Sequence, residues 1–298
     1  MLAASTALLW GVLPLGLKAV LVAMDPYTIT FYRFLGAWLL LGLWLALRQQ
    51  LPRPTQLSPQ LWLLFVLSAL GLAGNYLLYL KGLDHLEAKT AQVVIQLAPL
   101  LLLFGGVYLL KERFSAGQWC GAALLVLGLL LFFNDKLLLL WRGQGNYALG
   151  VGLIVLAALC WTLYALSQKR LLRQLRSTQL MWLLYGFGCL SFLPLAQLTS
   201  LRALDGVQLA ALLFCCINTL IAYGAFAESL NHWAASKVSA VLATAPLFTL
   251  VAVDLLVLWW PQRVVDTELG WVGYCGALLV VAGSVSATLG GRHRSSRL

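Results

Sequence analysis

Cys120-Gly121-Ala122-Ala123-Leu124-Leu125-Val126-Leu127-Gly128 is an uncharged run of small and apolar residues. It returns 155 positions later as Cys275-Gly276-Ala277-Leu278-Leu279-Val280-Val281-Ala282-Gly283. Working towards the N-terminus, His85-Leu86-Glu87-Ala88 followed by Ala98-Pro99-Leu100 is echoed, 147 positions on, by His232-Trp233-Ala234-Ala235 followed by Ala245-Pro246-Leu247. Trp10 and Lys18 are echoed 151 positions on by Trp161 and Lys169. The offsets differ by a few residues only, so the chain reads as two copies of one unit with short insertions between segments. Two similar hydrophobic halves are what alternating access about one shared site requires.

Composition fixes the solvent. Of 298 residues 61% are hydrophobic and 10% charged, against about 25% charged in a soluble domain. About 20 apolar residues span a bilayer core about 30 Å thick, and most of this sequence consists of such runs. They are continuously apolar rather than alternating, which selects helices over a barrel. The expectation is an all-α polytopic membrane protein. Its net charge of +10 sits mainly in short loops, where Lys and Arg set orientation, so nucleic acid is not an expected partner. The first apolar segment lacks a basic leader and runs on into further spans, unlike a signal peptide. Cys120, Cys160, Cys189, Cys215, Cys216 and Cys275 lie in apolar segments without a C-x-x-C pair and read as small packing residues.

Charge and Pro/Gly/Asn clusters divide the chain into ten candidate spans: 2–23, 27–48, 60–80, 88–110, 116–133, 147–169, 178–199, 206–229, 235–260 and 268–289. Residues 1–134 form the first five-helix repeat and 135–146 a connecting loop. Residues 147–289 form the second repeat, and 290–298 a basic tail that faces anionic lipid. With both termini in the cytoplasm, twelve basic residues fall inside and six outside, Lys81 and Lys89 among the latter. Five spans is an odd number, so the second repeat enters from the opposite side and the repeats are inverted.

Polar groups within such spans are expensive and become functional candidates. The densest set is Asn75, Tyr76, Tyr79, Gln92 and Gln96, the two glutamines sharing one helical face. The sixth span adds a stripe of Trp161, Tyr164 and Gln168. The second repeat adds Asn218, Tyr223, Ser239 and Thr244, and Trp10 matches Trp161. Two readings stay open for each of them: wall of a solute cavity, or glue between helices. Lys18 either snorkels or lines a pathway. Arg33 is placed near the outer face with Asp25 close enough in sequence to pair, and Glu228 and Asp254 are the acidic candidates for coupling or gating. Pro99 and Pro246 are expected to kink matched helices, as are Pro14 and Pro194 in the first and seventh spans. The glycines of the fifth and tenth spans permit close approach, as scaffold or as the contact of a homodimer. No P-loop and no H-E-x-x-H occurs, so neither a cofactor nor a metal is expected.

Trp10-Gly11 followed by Lys18, Arg33-Phe34 opening the second span, Ala98-Pro99-Leu100 and Leu110-Lys111-Glu112-Arg113 ahead of a Gly-rich span together resemble the EamA-type drug/metabolite transporter superfamily. The resemblance implies a central cavity lined by the first four helices of each repeat, with the fifth and tenth outside. It also implies export of amino acids, metabolites or amphipathic drugs across a bacterial inner membrane. The second copy departs from the pattern, because Trp259 stands where Glu112 stands in the first. Tyr, Trp, Asn and Gln offer flat apolar contact plus hydrogen bonds, which suits a small amino acid or related solute; aromatic faces also suit a cation. A membrane-embedded lipid enzyme would need a converging acid/base pair or metal cluster, and the sequence shows none.

Overall fold

The computed structural model describes residues 1–52, 59–98, 100–102, 115–134, 146–233, 238, 241–259 and 270–289. Every regular element among them is helical. The first half holds α1 (Leu2–Leu21), α2 (Pro26–Leu47), α3 (Pro59–His85), α4 (Ala88–Val94) and α5 (Ala116–Phe132). The second holds α6 (Asn146–Leu171), α7 (Ser177–Phe192), α8 (Gly206–His232), α9 (Ala245–Trp259) and α10 (Trp271–Leu289). Six of these, α1, α2, α3, α6, α7 with its 3-10 extension, and α8, are long and apolar enough to cross a membrane, whereas α5, α9 and α10 are shorter. Outward faces carry Leu43, Leu70, Leu130, Leu213 and Leu255, each more than half exposed, as hydrocarbon solvent allows.

Helix ends follow local chemistry. Asp25 caps α2, its Oδ1 accepting from the Tyr27 N–H at 2.9 Å and the Thr28 N–H at 3.1 Å, with Pro26 at the first helical position. Asp25 therefore does not pair with Arg33. Ser115 with Gln118, and Asp205 with Gln208, form capping boxes at α5 and α8. The other end of α2 closes in a Schellman motif, where the Gln50 N–H reaches Leu45 O at 2.8 Å and the Gln49 N–H reaches Ala46 O at 3.0 Å. Gln49 takes φ 53° there, a conformation that favours glycine. Gln49→Gly is expected to raise stability by up to about 1 kcal/mol, read as a higher thermal midpoint; an unchanged or lower midpoint would contradict the strain.

Pro246 and Pro194 act differently from expectation. Pro246 does not kink a continuous helix: it is the second residue of α9, after a break at Ala243–Thr244 where the Thr244 and Leu247 N–H groups bond three residues back. α4 also breaks, at Ile95–Gln96, with Gln96 and Ala98 bonding three residues back. Pro99 lies outside the described residues. Pro14 is buried within an unbroken α1, and Pro194 belongs to a 3-10 turn after α7 has ended.

Helices of one half pack chiefly on helices of the other. The main contacts are α5 with α10, α3 with α6, α1 with α8, α2 with α7, α2 with α8, α1 with α9, and α4 with α9. The α5–α10 contact is made by glycine on both sides. A Cβ on Gly121 would lie 2.1 Å from Ala287 N, and one on Gly283 would lie 2.4 Å from Leu125 N. The glycine faces are thus spent within one chain, and α5 and α10 present Trp119, Leu130, Trp271 and Leu278 outward instead.

Candidate functional site

Where α1, α3, α4, α6, α8 and the start of α9 converge with Arg33 of α2, they line a partly open cavity of about 90 Å³. That is room for roughly half a dozen waters, or one small organic solute. Its walls include Trp10, Asn75, Tyr76, Tyr79, Gln92, Gln96, Trp161 and Tyr223. Leu13, Ile95, Ala98, Leu242 and Ala245 complete it; apolar residues of that kind carry no sequence signal of a site.

The breaks in α4 and before α9 border this space. Gln96 donates from Nε2 to Ala243 O at 2.8 Å, so a side chain from one break caps a carbonyl of the other. Gln92 accepts from the Tyr79 hydroxyl at 3.0 Å and donates to Trp10 O at 3.4 Å. Asn75 donates to Ala157 O at 3.0 Å and accepts from the Tyr223 hydroxyl at 3.4 Å. These amides serve both expected roles at once: they line the cavity and join helices. Trp10 contacts Tyr223, Phe226 and Trp161 with ring centroids 4.8, 5.4 and 6.2 Å apart, close enough to form an aromatic wall.

Arg33 does not make the pair with Asp25 that its sequence spacing suggests. It is 2% exposed and lines the cavity. Its Nε donates to Thr219 Oγ1 at 3.0 Å, and its guanidinium lies 4.1 Å from the centre of the Tyr76 ring. Tyr76 in turn stacks on Phe34 at 4.5 Å. Among the described residues no carboxylate comes within ion-pair distance of Arg33. Trp10 Nε1 is buried without a hydrogen-bond partner among them, and so is the Tyr76 hydroxyl, beside Thr219 and Tyr223.

Other candidates lie elsewhere. Tyr164 and Gln168 are fully buried and donate to Met181 Sδ at 3.6 and 3.2 Å. Asn218 donates to Leu9 O at 2.7 Å, joining α8 to α1 as Asn75 joins α3 to α6. Thr244 bonds Val241 O at 2.7 Å within its own break, and Ser239 lies outside the described residues. None of these four placed residues borders the cavity. Lys18 lies within electrostatic reach of Asp84 and Glu87. Glu228 bonds Ser177 and His232. Asp254 pairs at 2.7 Å with Lys89, which is 2% exposed and so is no loop charge, and accepts from the Tyr274 hydroxyl at 3.2 Å.

An apolar helical bundle with a polar pocket between its halves is the architecture of a solute carrier. The EamA-like transporter family matches residues 1–134 and again residues 148–289. The chain belongs to the EamA-like transporter family. Its similarity to the "Uncharacterized inner membrane transporter YhbE" of Escherichia coli (strain K12) is 41% identity, covering 98% of this chain and 91% of that one. An "Uncharacterized transporter" of Haemophilus influenzae is 37% identical over 96% and 92% of the two chains. The more distant "Probable amino-acid metabolite efflux pump" of Escherichia coli (strain K12) shares 22% over 71% of each. One crystal structure superposes on this EamA-like transporter with a TM-score of 0.68, over 98% of both chains at 19% identity, which speaks to the fold alone.

Proposed function

We propose that this EamA-like transporter is a secondary carrier that exports a small organic solute, an amino acid or related metabolite, by alternating access through the central cavity. One observation carries the reading. Charged, amide and aromatic side chains from both halves meet around a space of about 90 Å³ inside an otherwise apolar bundle. The helices would form two inverted five-helix repeats with both termini in the cytoplasm of a bacterial inner membrane. Support comes from the family match to each half separately. It comes also from the cross-packing, in which α3 with α6 and α8 with α1 are equivalent once each helix is matched to its counterpart. The distant efflux-pump relative favours amino-acid metabolites. Rocking of the halves would break and remake ties outside the cavity, such as Lys89–Asp254 between α4 and α9.

The test is a thermal-shift screen of purified protein against amino acids, nucleosides, polyamines and quaternary amines, followed by flux of the stabilising solute in proteoliposomes. Saturable exchange is expected. Tyr79→Ala should lower it at least tenfold while the protein stays monodisperse, because the Tyr79–Gln92 bond shapes the wall. Undiminished flux in that variant, or ionic conductance in place of solute exchange, would refute the reading.

A further inference from the structure

The cavity's hydrogen-bonding groups are not balanced. One N–H of each amide is already taken: Asn75 by Ala157 O, Gln92 by Trp10 O, Gln96 by Ala243 O. The acceptors Asn75 Oδ1 and Gln92 Oε1 are taken by Tyr223 and Tyr79. Beyond the Gln96 amide oxygen, what remains is mostly donor capacity. Arg33 has spent Nε on Thr219, and its two terminal nitrogens, with four N–H groups, have no carboxylate among the described residues. The Trp10 indole N–H, a donor only, is buried and unpaired. Among the described residues no acidic one lines the space.

We infer that the solute carries a carboxylate seated on Arg33 and an aromatic or flat apolar body against Trp10, Trp161 and Tyr223. The inference rests on the cavity being the transport site. A carboxylate offers acceptors only and matches the planar fork of a guanidinium, so it completes the donors that the protein leaves over. Thr219 on one side and the Tyr76 face on the other fix the plane of that fork, which makes recognition directional. An amine is not needed by the site, since an ammonium would find no carboxylate among the described lining residues and would be repelled by Arg33. The same charge argues against cationic drugs as cargo.

Isothermal titration of purified wild-type protein with four matched probes separates the possibilities: 3-phenylpropionate, phenylalanine, phenethylamine and 3-phenylpropanol. The two carboxylates are expected to bind and the amine and the alcohol not to. Arg33→Gln should weaken 3-phenylpropionate binding at least tenfold, with Arg33→Lys intermediate because it keeps charge but loses the fork. The wild-type comparison stands even if Arg33→Gln does not fold. Amine or alcohol binding equal to the carboxylates would overturn the inference and leave the cavity reading intact. So would unchanged affinity in a folded Arg33→Gln protein. Absence of binding by all four probes would overturn both.

Discussion

Gly283→Val is expected to leave little folded protein, and what survives should unfold about 10 °C or more below wild type. The Cβ alone would sit 2.4 Å from Leu125 N, 2.8 Å from Gly121 O and 2.8 Å from the Leu125 Cα. These are backbone atoms of α5, so no side-chain rotation relieves the clash and the two helices must separate along their contact. Overpacking costs about 1–3 kcal/mol where side chains can yield, and here the cost should lie at or above that range. At roughly 2–4 °C per kcal/mol, the shift follows. The contact is reciprocal: Gly121 meets Ala287, Gly128 meets Val280, and Gly276 meets Phe132. Gly121→Val and Gly276→Val should therefore behave alike. Gly152→Ala is the internal control, because nothing lies within 4 Å of its added Cβ and alanine is the better helix former. Thermal unfolding in detergent reads all of these variants. A Gly283→Val midpoint matching that of Gly152→Ala would mean that α5 and α10 do not meet.

Those glycines show what the sequence could and could not tell. The recurrence of Gly121 and Gly128 as Gly276 and Gly283 signals close backbone approach, since only a missing Cβ permits it. It does not name the partner. A glycine face fits a neighbouring helix of the same chain as well as a second copy, and the structure turns both faces on each other. Gln92 and Gln96, four residues apart, were legible as one stripe, and both line the cavity although α4 ends at Val94 and Gln96 lies in the break that follows. Asn218 and Gln168 carry the same chemistry on the same kind of apolar helix, yet bond Leu9 O and Met181 Sδ away from the cavity. An amide reads identically in sequence whether the nearest carbonyl belongs to a cavity wall or to a packed interface.

Arg33 illustrates the opposite failure. Its distance from Asp25 suggested a pair, but an aspartate directly before a proline that opens a helix is a cap, and the cap consumes both carboxylate oxygens. Once Asp25 is spent, the guanidinium has only Thr219 and the Tyr76 face. A charge inside a membrane bundle is expensive, and local sequence offers no hint of which distant helix relieves it. The breaks near Pro99 and Pro246 were foreseeable in kind but not in form. Before Pro246 the helix is interrupted at Ala243–Thr244, and the proline opens α9 rather than bending a continuous helix.

Gln96→Leu is expected to loosen that interruption and slow transport at least tenfold. In a regular helix Ala243 O would accept from the Leu247 N–H, but that group bonds Thr244 O instead, and Gln96 Nε2 supplies the replacement at 2.8 Å. Leucine has nearly the same volume and no donor, so the carbonyl would be left unsatisfied in a buried site, at a cost of about 1–3 kcal/mol. Gln96 and Ala243 are 147 positions apart, the offset that separates Pro99 from Pro246. The bond therefore links equivalent points of the two halves, where relative movement between them is most directly felt. Each 1.4 kcal/mol alters a population ratio tenfold, so the expected loss is enough to unbalance two access states. Hydrogen exchange followed by mass spectrometry reads the effect without a known solute. Peptides covering 241–247 should exchange about tenfold faster in Gln96→Leu, while α5 and α10, which do not share the bond, keep wild-type protection. Equal exchange in the 241–247 segment of both proteins would show that the two breaks hold themselves without each other.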